Sequence, residues 1–311
     1  PNPKRLVEEQ VADDYIALTS RPNYSSEAAW KNKLERPEYI KANKLRFLRP
    51  YQLTAVHAIQ KAVDAGRDRF LFEMATGTGK TLTAAAVIKL FLRTGNARRI
   101  LFLVDRLELE DQAKKAFTAL LSNDYQTVIF KENKDDWQRA EIVVSTIQSF
   151  IFNNKYQKLF SPTDFDFVIS DEAHRSIGGN ARAVFDYFIG YKLGLTATPK
   201  DYLKKFDKTK SADNDHRELE RRMLHDTYLT FGCEDSQPTF RYTLLDGVKD
   251  GYLINPIVID ARTKITTELL SDEGFVVSFV DNQGEDQKET YKQREFEKRF
   301  FSDATNQIFC K

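Results

Sequence analysis

The chain has 311 residues, 41% of them apolar, which is enough for about two domains and a sizeable core. Lysine plus arginine (47) almost cancels aspartate plus glutamate (46), so a net charge of +1 excludes a globally basic protein but leaves room for a local basic groove. Cys233 and Cys310 lie far apart with no histidine at zinc spacing, and no apolar run approaches the roughly 20 residues of a membrane span, so the expectation is a reduced, cytoplasmic protein with no membrane partner and no structural metal.

Residues 1–45 read as a charged leader, with helices over Leu6–Leu18 and Glu27–Leu34 and breaks at Pro22 and Pro37. From about 47 to 199, short apolar strands alternate with helical stretches: Phe70–Phe72, Ile100–Val104, Thr127–Phe130, Ile142–Ser145, Phe167–Ser170 and Leu193–Ala197. Such alternation predicts an α/β domain, a parallel sheet flanked by helices. The helix Thr81–Leu92 is apolar all round, as a helix packed on a sheet should be. Residues 200–218 read as a charged, mobile loop and Arg217–Leu224 as a helix. Thr239–Arg262 reads as two strands around Leu245–Gly251, and 281–294 as polar and flexible. The chain starts at Pro1 without methionine and stops inside an apparent helix, so it reads as a piece of something longer.

The first chemistry lies between the strand ending at Phe72 and the helix that follows. Glu73-Met74-Ala75-Thr76-Gly77-Thr78-Gly79-Lys80-Thr81 ends in the glycine-lysine-threonine turn that holds nucleotide phosphates. The glycines let successive N–H groups of Thr76, Gly77, Thr78 and Gly79 turn toward a phosphate, and the positive helix end adds to the attraction. Lys80 would reach the β- and γ-phosphates, and the Thr81 hydroxyl would sit on Mg²⁺. Met74 stands where the common pattern has glycine.

The second lies at the end of the run Phe165–Ser170, where Asp171-Glu172-Ala173-His174 follows. Acids at the C-terminal end of a buried parallel strand sit where α/β sheets place ligands. Asp171 can hold Mg²⁺, and Glu172 can orient and deprotonate an attacking water. Phosphoryl transfer asks little more of a protein than positioning and charge neutralisation. An acidic strand-end cap would explain one carboxylate, not the pair.

Further motifs complete an ordered set. Leu48-Arg49-Pro50-Tyr51-Gln52 precedes the loop. Leu103 to Leu109, Val144 to Phe150 and Leu195-Thr196-Ala197-Thr198-Pro199 end the other strands. Set and order resemble superfamily 2 helicases and DNA translocases. The loop, the Leu103–Leu109 run and Gly247–Pro256 are most similar to the motor (restriction) subunit of type I restriction-modification enzymes. The resemblance spans roughly residues 45–262.

That resemblance implies a RecA-like ATPase domain over 46–236, after the 1–45 leader and linker, with a connector and the truncated start of a second such lobe over 237–311. It implies ATP and Mg²⁺ as cofactors and double-stranded DNA as the track. Methylase and specificity subunits would be partners. Gln52 would read the adenine, supported by Arg49 and Tyr51. Arg106, Ser145, Thr146 and Gln148 would touch the nucleic-acid backbone, while His174, Thr196 and Thr198 would couple the two sites. Taken singly, each of these residues is more simply a cap, a core group or a solvated side chain; the ordered set favours function. His57, His216 and His225 carry no partner signal. Asp124 with Glu132-Asn133-Lys134 matches nuclease chemistry loosely and is read as chance.

One departure matters. After residue 199 there is no glutamine–glycine–arginine motif of the kind that supplies an arginine finger, so this chain alone is expected to hydrolyse ATP poorly. A repair or RNA helicase of the same superfamily, a nucleotide-switched binding module and a metabolic P-loop kinase remain alternatives. Glu172 weighs against the second, and the Ser145-Thr146 and Thr196-Ala197-Thr198 strand ends against the third.

Overall fold

The computed structural model describes residues 1–17, 21, 23–121, 124–131, 136–176, 180–201, 225–254, 270–271, 274–280 and 286–291. Contacts divide the chain into two units, Pro1–Ile254 and Asn255–Lys311. The loop expected after residue 201, the helix Arg217–Leu224 and any strand beyond Ile254 in the 239–262 segment lie outside the described residues.

Seven strands of the first unit form one sheet: β1 Arg69–Met74, β2 Ile100–Val104, β3 Thr127–Ile129, β4 Ile142–Thr146, β5 Phe167–Ser170, β6 Tyr191–Thr196 and β7 Phe240–Tyr242. Their order is β3-β4-β2-β5-β6-β1-β7, and every pairing is parallel. The helices, in chain order, are α1 Pro3–Glu8, α2 Ala28–Lys31, α3 Arg36–Ala42, α4 Pro50–Asp64, α5 Lys80–Arg93, α6 Leu107–Leu121, α7 Ile147–Ile151, α8 Lys155–Leu159, α9 Ala173–Ser176, α10 Asn180–Tyr187, α11 Thr227–Thr230 and α12 Leu244–Lys249.

The strands read as unbroken apolar runs because both faces are covered. Phe70, Phe72, Ile100, Phe102, Ile142, Val144, Phe167 and Ile169 belong to one core. Leu71, Leu101, Leu103, Val143 and Val168, their alternates, belong to a second core on the other face. Period-two alternation within an all-apolar strand divides it between the two layers. The RecA-like α/β fold class read from the motifs therefore holds, and all strand C-termini meet at one edge.

The leader departs from its expected helices. A helix over Leu6–Leu18 would need its own carbonyls, but Gln60 of α4 takes them: its Nε2 donates to Leu6 O at 2.9 Å and to Glu9 O at 3.0 Å, and α1 ends at Glu8. The expected helix over Glu27–Leu34 shortens to α2. Pro37 does not break a helix; it opens α3, whose first turn has no N–H to lose. In place of strands around Leu245–Gly251 there is β7 and then α12. Thr243 Oγ1 accepts from Asp246 N at 3.2 Å, and Asp246 Oδ2 accepts from Thr243 N at 2.8 Å, a reciprocal cap that turns the chain into a helix.

In the second unit, β8 Leu270–Ser271, β9 Gly274–Val280 and β10 Asp286–Tyr291 form an antiparallel sheet. The polar stretch expected to be flexible over 281–294 thus contains a strand. Backbone pairing with the β-branched β9 needs no apolar sequence in its partner.

Lys89 of α5 ties the leader to the core. It is buried, and its Nζ donates to Tyr15 O at 2.7 Å while lying 4.8 Å from the Tyr15 ring. Burial lowers its pKa from 10.5 to about 8, partly opposed by Asp124, Asp14 and Glu9 and helped by Arg93. A depressed ammonium pKa means the unfolded chain holds more protons between those values, so stability rises with pH there. Burial raises the neighbouring Tyr15 and Tyr125 phenols, which reverses the trend above about pH 10. Urea midpoints should therefore climb from pH 8 to 10, and Lys89→Met should flatten that climb.

Candidate functional site

Strand ends assemble the site. Gly77 and Gly79 of the loop after β1 take φ of +83° and +79°. A Cβ on Gly79 would also lie 2.6 Å from Gln52 Nε2, so backbone conformation and space both require glycine. Gly79 offers α5 no side-chain cap, so the first-turn N–H groups of Lys80 and Thr81 face a helix end suited to an anion. Met74 is buried in the core.

The loop is held from behind by α4. Tyr51 Oη donates to Thr78 O at 2.6 Å, and Gln52 Nε2 donates to Thr78 O at 3.0 Å and Gly79 O at 3.3 Å. Gln52 is 1% exposed, and its Oε1 accepts from Arg49 N at 2.9 Å as a helix cap. Tyr51 lies flat on Tyr242 with centroids 3.9 Å apart and an interplanar angle of 7°. Arg49 is exposed, with its guanidinium 4.7 Å over the Tyr252 ring. Tyr242 and Tyr252 were not singled out from sequence; a lone tyrosine in a polar stretch carries no signal.

Opposite the loop stands the acid pair. Asp171 N donates to Leu103 O at 2.9 Å, holding the end of β5 against β2. Glu172 then takes φ of +47°, a left-handed turn at a non-glycine residue, with its N–H on Asp171 Oδ1 at 3.0 Å. Such a conformation costs on the order of 1 kcal/mol and is kept where the surroundings impose it. It breaks the alternation of the strand and lets neighbouring carboxylates share one edge. Burial first, and the Glu172 charge second, push the Asp171 carboxyl above its usual range. A cation placed there would reverse both effects.

Glu172 sits in the middle of a polar line. Its Oε1 lies 3.9 Å from Lys80 Nζ and its Oε2 lies 3.4 Å from His174 Nδ1. His174 Nδ1 is 2.9 Å from Thr196 Oγ1, which also accepts from Thr198 N at 3.1 Å. Burial lowers the His174 pKa, with Glu172 opposing, so the ring is neutral near pH 7. Gly194 makes this approach possible, since a Cβ there would meet the Phe231 ring at 2.6 Å and Ala173 Cβ at 3.0 Å. Among the described residues no three histidine, cysteine or acidic side chains gather for a metal. The Thr81 hydroxyl and the Asp171 carboxylate, both oxygen donors, suit Mg²⁺ shared with phosphates rather than a closed protein cage.

The remaining strand-end residues divide by exposure. Arg106, Gln148 and Thr198 are exposed, whereas Ser145, Thr146 and Thr196 are buried. Arg106, Thr146 and Gln148 line one groove of about 590 Å³. Thr146 Oγ1 accepts from Ser149 N at 3.3 Å and caps α7, so its hydroxyl is committed within the protein. Glu110, missed in the sequence because it looks like a solvated position of α6, is fully buried. It accepts from Thr146 N at 2.7 Å and pairs with Lys131 at 2.7 Å.

A phosphate-type loop facing an acid pair, with a histidine reaching the next strand end, is the arrangement of a nucleotide-binding, helicase-like domain of superfamily 2. The chain belongs to the family of the type III restriction enzyme, res subunit, whose profile matches residues 46–201. It is 34% identical over 216 residues to the type I restriction enzyme EcoAI endonuclease subunit of Escherichia coli, covering 66% of this chain and 23% of that protein. It is 32% identical over 266 residues to the EcoKI endonuclease subunit of Escherichia coli K12, covering 76% and 20%. A solved fragment ascribed to the HsdR subunit of a type I restriction enzyme of Vibrio vulnificus YJ016 is 27% identical, covering 65% of this chain and 32% of that one with a TM-score of 0.44. The chain thus spans about a fifth to a quarter of the length of these curated relatives. The resemblance read from the motifs is borne out. No helix among the described residues is long and apolar enough to cross a membrane.

Proposed function

We propose that this chain is the ATP-hydrolysing lobe of a double-stranded DNA translocase within a type I restriction endonuclease subunit, working in the cytoplasm beside methylase and specificity subunits. The observation that carries this reading is the line Lys80–Glu172–His174–Thr196, which joins the phosphate loop to a second strand end on the same sheet edge as the Arg106 and Gln148 groove.

In this reading the N–H groups of Gly77–Thr81 and the Lys80 ammonium bind the ATP phosphates. Mg²⁺, held by Thr81 and Asp171, would supply the charge that offsets what gathers on the γ-phosphate. Glu172 takes the proton of the attacking water, with Lys80 Nζ 3.9 Å from its Oε1. Gln52 keeps the loop shaped and offers adenine only the Oε1 lone pair that Arg49 leaves. Arg106 and Gln148 contact DNA phosphates, so binding weakens steeply with salt.

Steady-state hydrolysis by the whole subunit, with and without duplex DNA, tests this. DNA should raise the rate, and Arg106→Ala should lower the stimulated rate while nucleotide affinity stays. DNA binding with no stimulation would favour the nucleotide-switched module, although Glu172 has no task in such a switch. With no glutamine–glycine–arginine motif after residue 199 in the sequence, the 311 residues alone should turn over slowly.

A further inference from the structure

The Arg106–Gln148 groove carries a side chain that phosphate tracking does not use. Phe152 lines it and is 62% exposed, although its neighbours Phe150 and Tyr156 are buried in the second core. A single exposed phenylalanine is ordinary on a protein surface. This one is presented by its backbone: Asn153 and Asn154 follow with φ of +54° and +53°, two left-handed residues in succession that end α7 and start α8. The turn sets Phe152 beside Lys155, whose Nζ lies 5.3 Å from the ring. Leu107, 53% exposed, lines the same groove.

The charges there favour a phosphate strand. Asp105 is held by Arg175 at 2.9 Å and by Arg106 at 3.6 Å, which leaves Glu108 as the other acid lining the groove with Arg106 and Lys155. An aromatic face between cations is how sequence-tolerant sites hold unpaired bases, because every base has a π-face. We propose that Phe152 stacks on an unpaired base of a DNA strand whose phosphates lie along Arg106 and Lys155. This rests on reading the groove as the nucleic-acid face, and it adds to that reading a preference for strands that carry bases. Duplex DNA would show the contact only where it is locally open.

Fluorescence anisotropy with the 311-residue chain separates these statements. The probes are an oligothymidine strand and an abasic strand of equal length, each at several salt concentrations. The parent should prefer the base-bearing strand by about tenfold or more. Phe152→Ala should remove the preference while leaving abasic binding and the salt slope as they were. Phe152→Trp should keep it and show indole quenching on the base-bearing strand alone. Arg106→Ala and Lys155→Ala should weaken both strands alike, each reducing the salt slope by about one. If those two variants weaken binding but Phe152→Ala keeps the parent's preference, stacking is wrong and the groove stands. If all three bind as the parent does, both the stacking and the groove assignment fall.

Discussion

Replacing Glu172 by glutamine in the intact subunit should cut single-turnover ATP hydrolysis by about 10²–10⁴, the range of a lost general base, while nucleotide affinity changes little. Glutamine keeps the size of the side chain and meets the same cost at φ of +47°, so the turn after β5 survives. It loses the carboxylate that lies 3.9 Å from Lys80 and 3.4 Å from His174. ATP and DNA should then accumulate in a bound, unreacted complex. Rapid-quench measurement beside an affinity titration reads both quantities. Hydrolysis at the parent's rate would remove Glu172 from the chemistry.

Lys80→Ala acts one stage earlier. A hydrogen bond to a charged group contributes about 1.5–3 kcal/mol, so Mg²⁺·ATP should bind about ten- to a hundredfold more weakly. Lys80 is also one of the groups that hold the Asp171 carboxyl down against burial, and its loss takes away that support for an ionised metal ligand. Calorimetric affinity that matches the parent would show that the phosphates lie elsewhere.

The sheet was legible because its strands are buried on both faces, so runs such as Ile100–Val104 and Phe167–Ser170 stand out without any period. The clustering at their ends was legible because small groups of residue types recur there for physical reasons, and the structure brings the Gly77–Gly79 turn and the Asp171–Glu172 pair to one edge, with Lys80 and Glu172 3.9 Å apart. Less visible was whatever depends on partners far along the chain. Gln60 and Lys89 take carbonyls of the leader and undo its helix, yet neither announces this in sequence. Ser145 and Thr146 look like backbone contacts by position, but Glu110 and Ser149 claim Thr146, and Ser145 is buried. The cap Thr243–Asp246 was readable, and apolar residues around it suggested strands instead.

The measurement that bears most directly on the account is a calorimetric titration of the 311-residue chain with ATP, with ADP and with AMP, each with Mg²⁺ and with the metal chelated. If the loop Gly77–Thr81 and Asp171 form the site, ATP and ADP bind at one site with Mg²⁺ and at least about tenfold more weakly without it, and AMP, which brings no β-phosphate to Lys80, does not compete. Equal affinity for AMP and ATP, or binding indifferent to Mg²⁺, would contradict the placement of the phosphates on this edge.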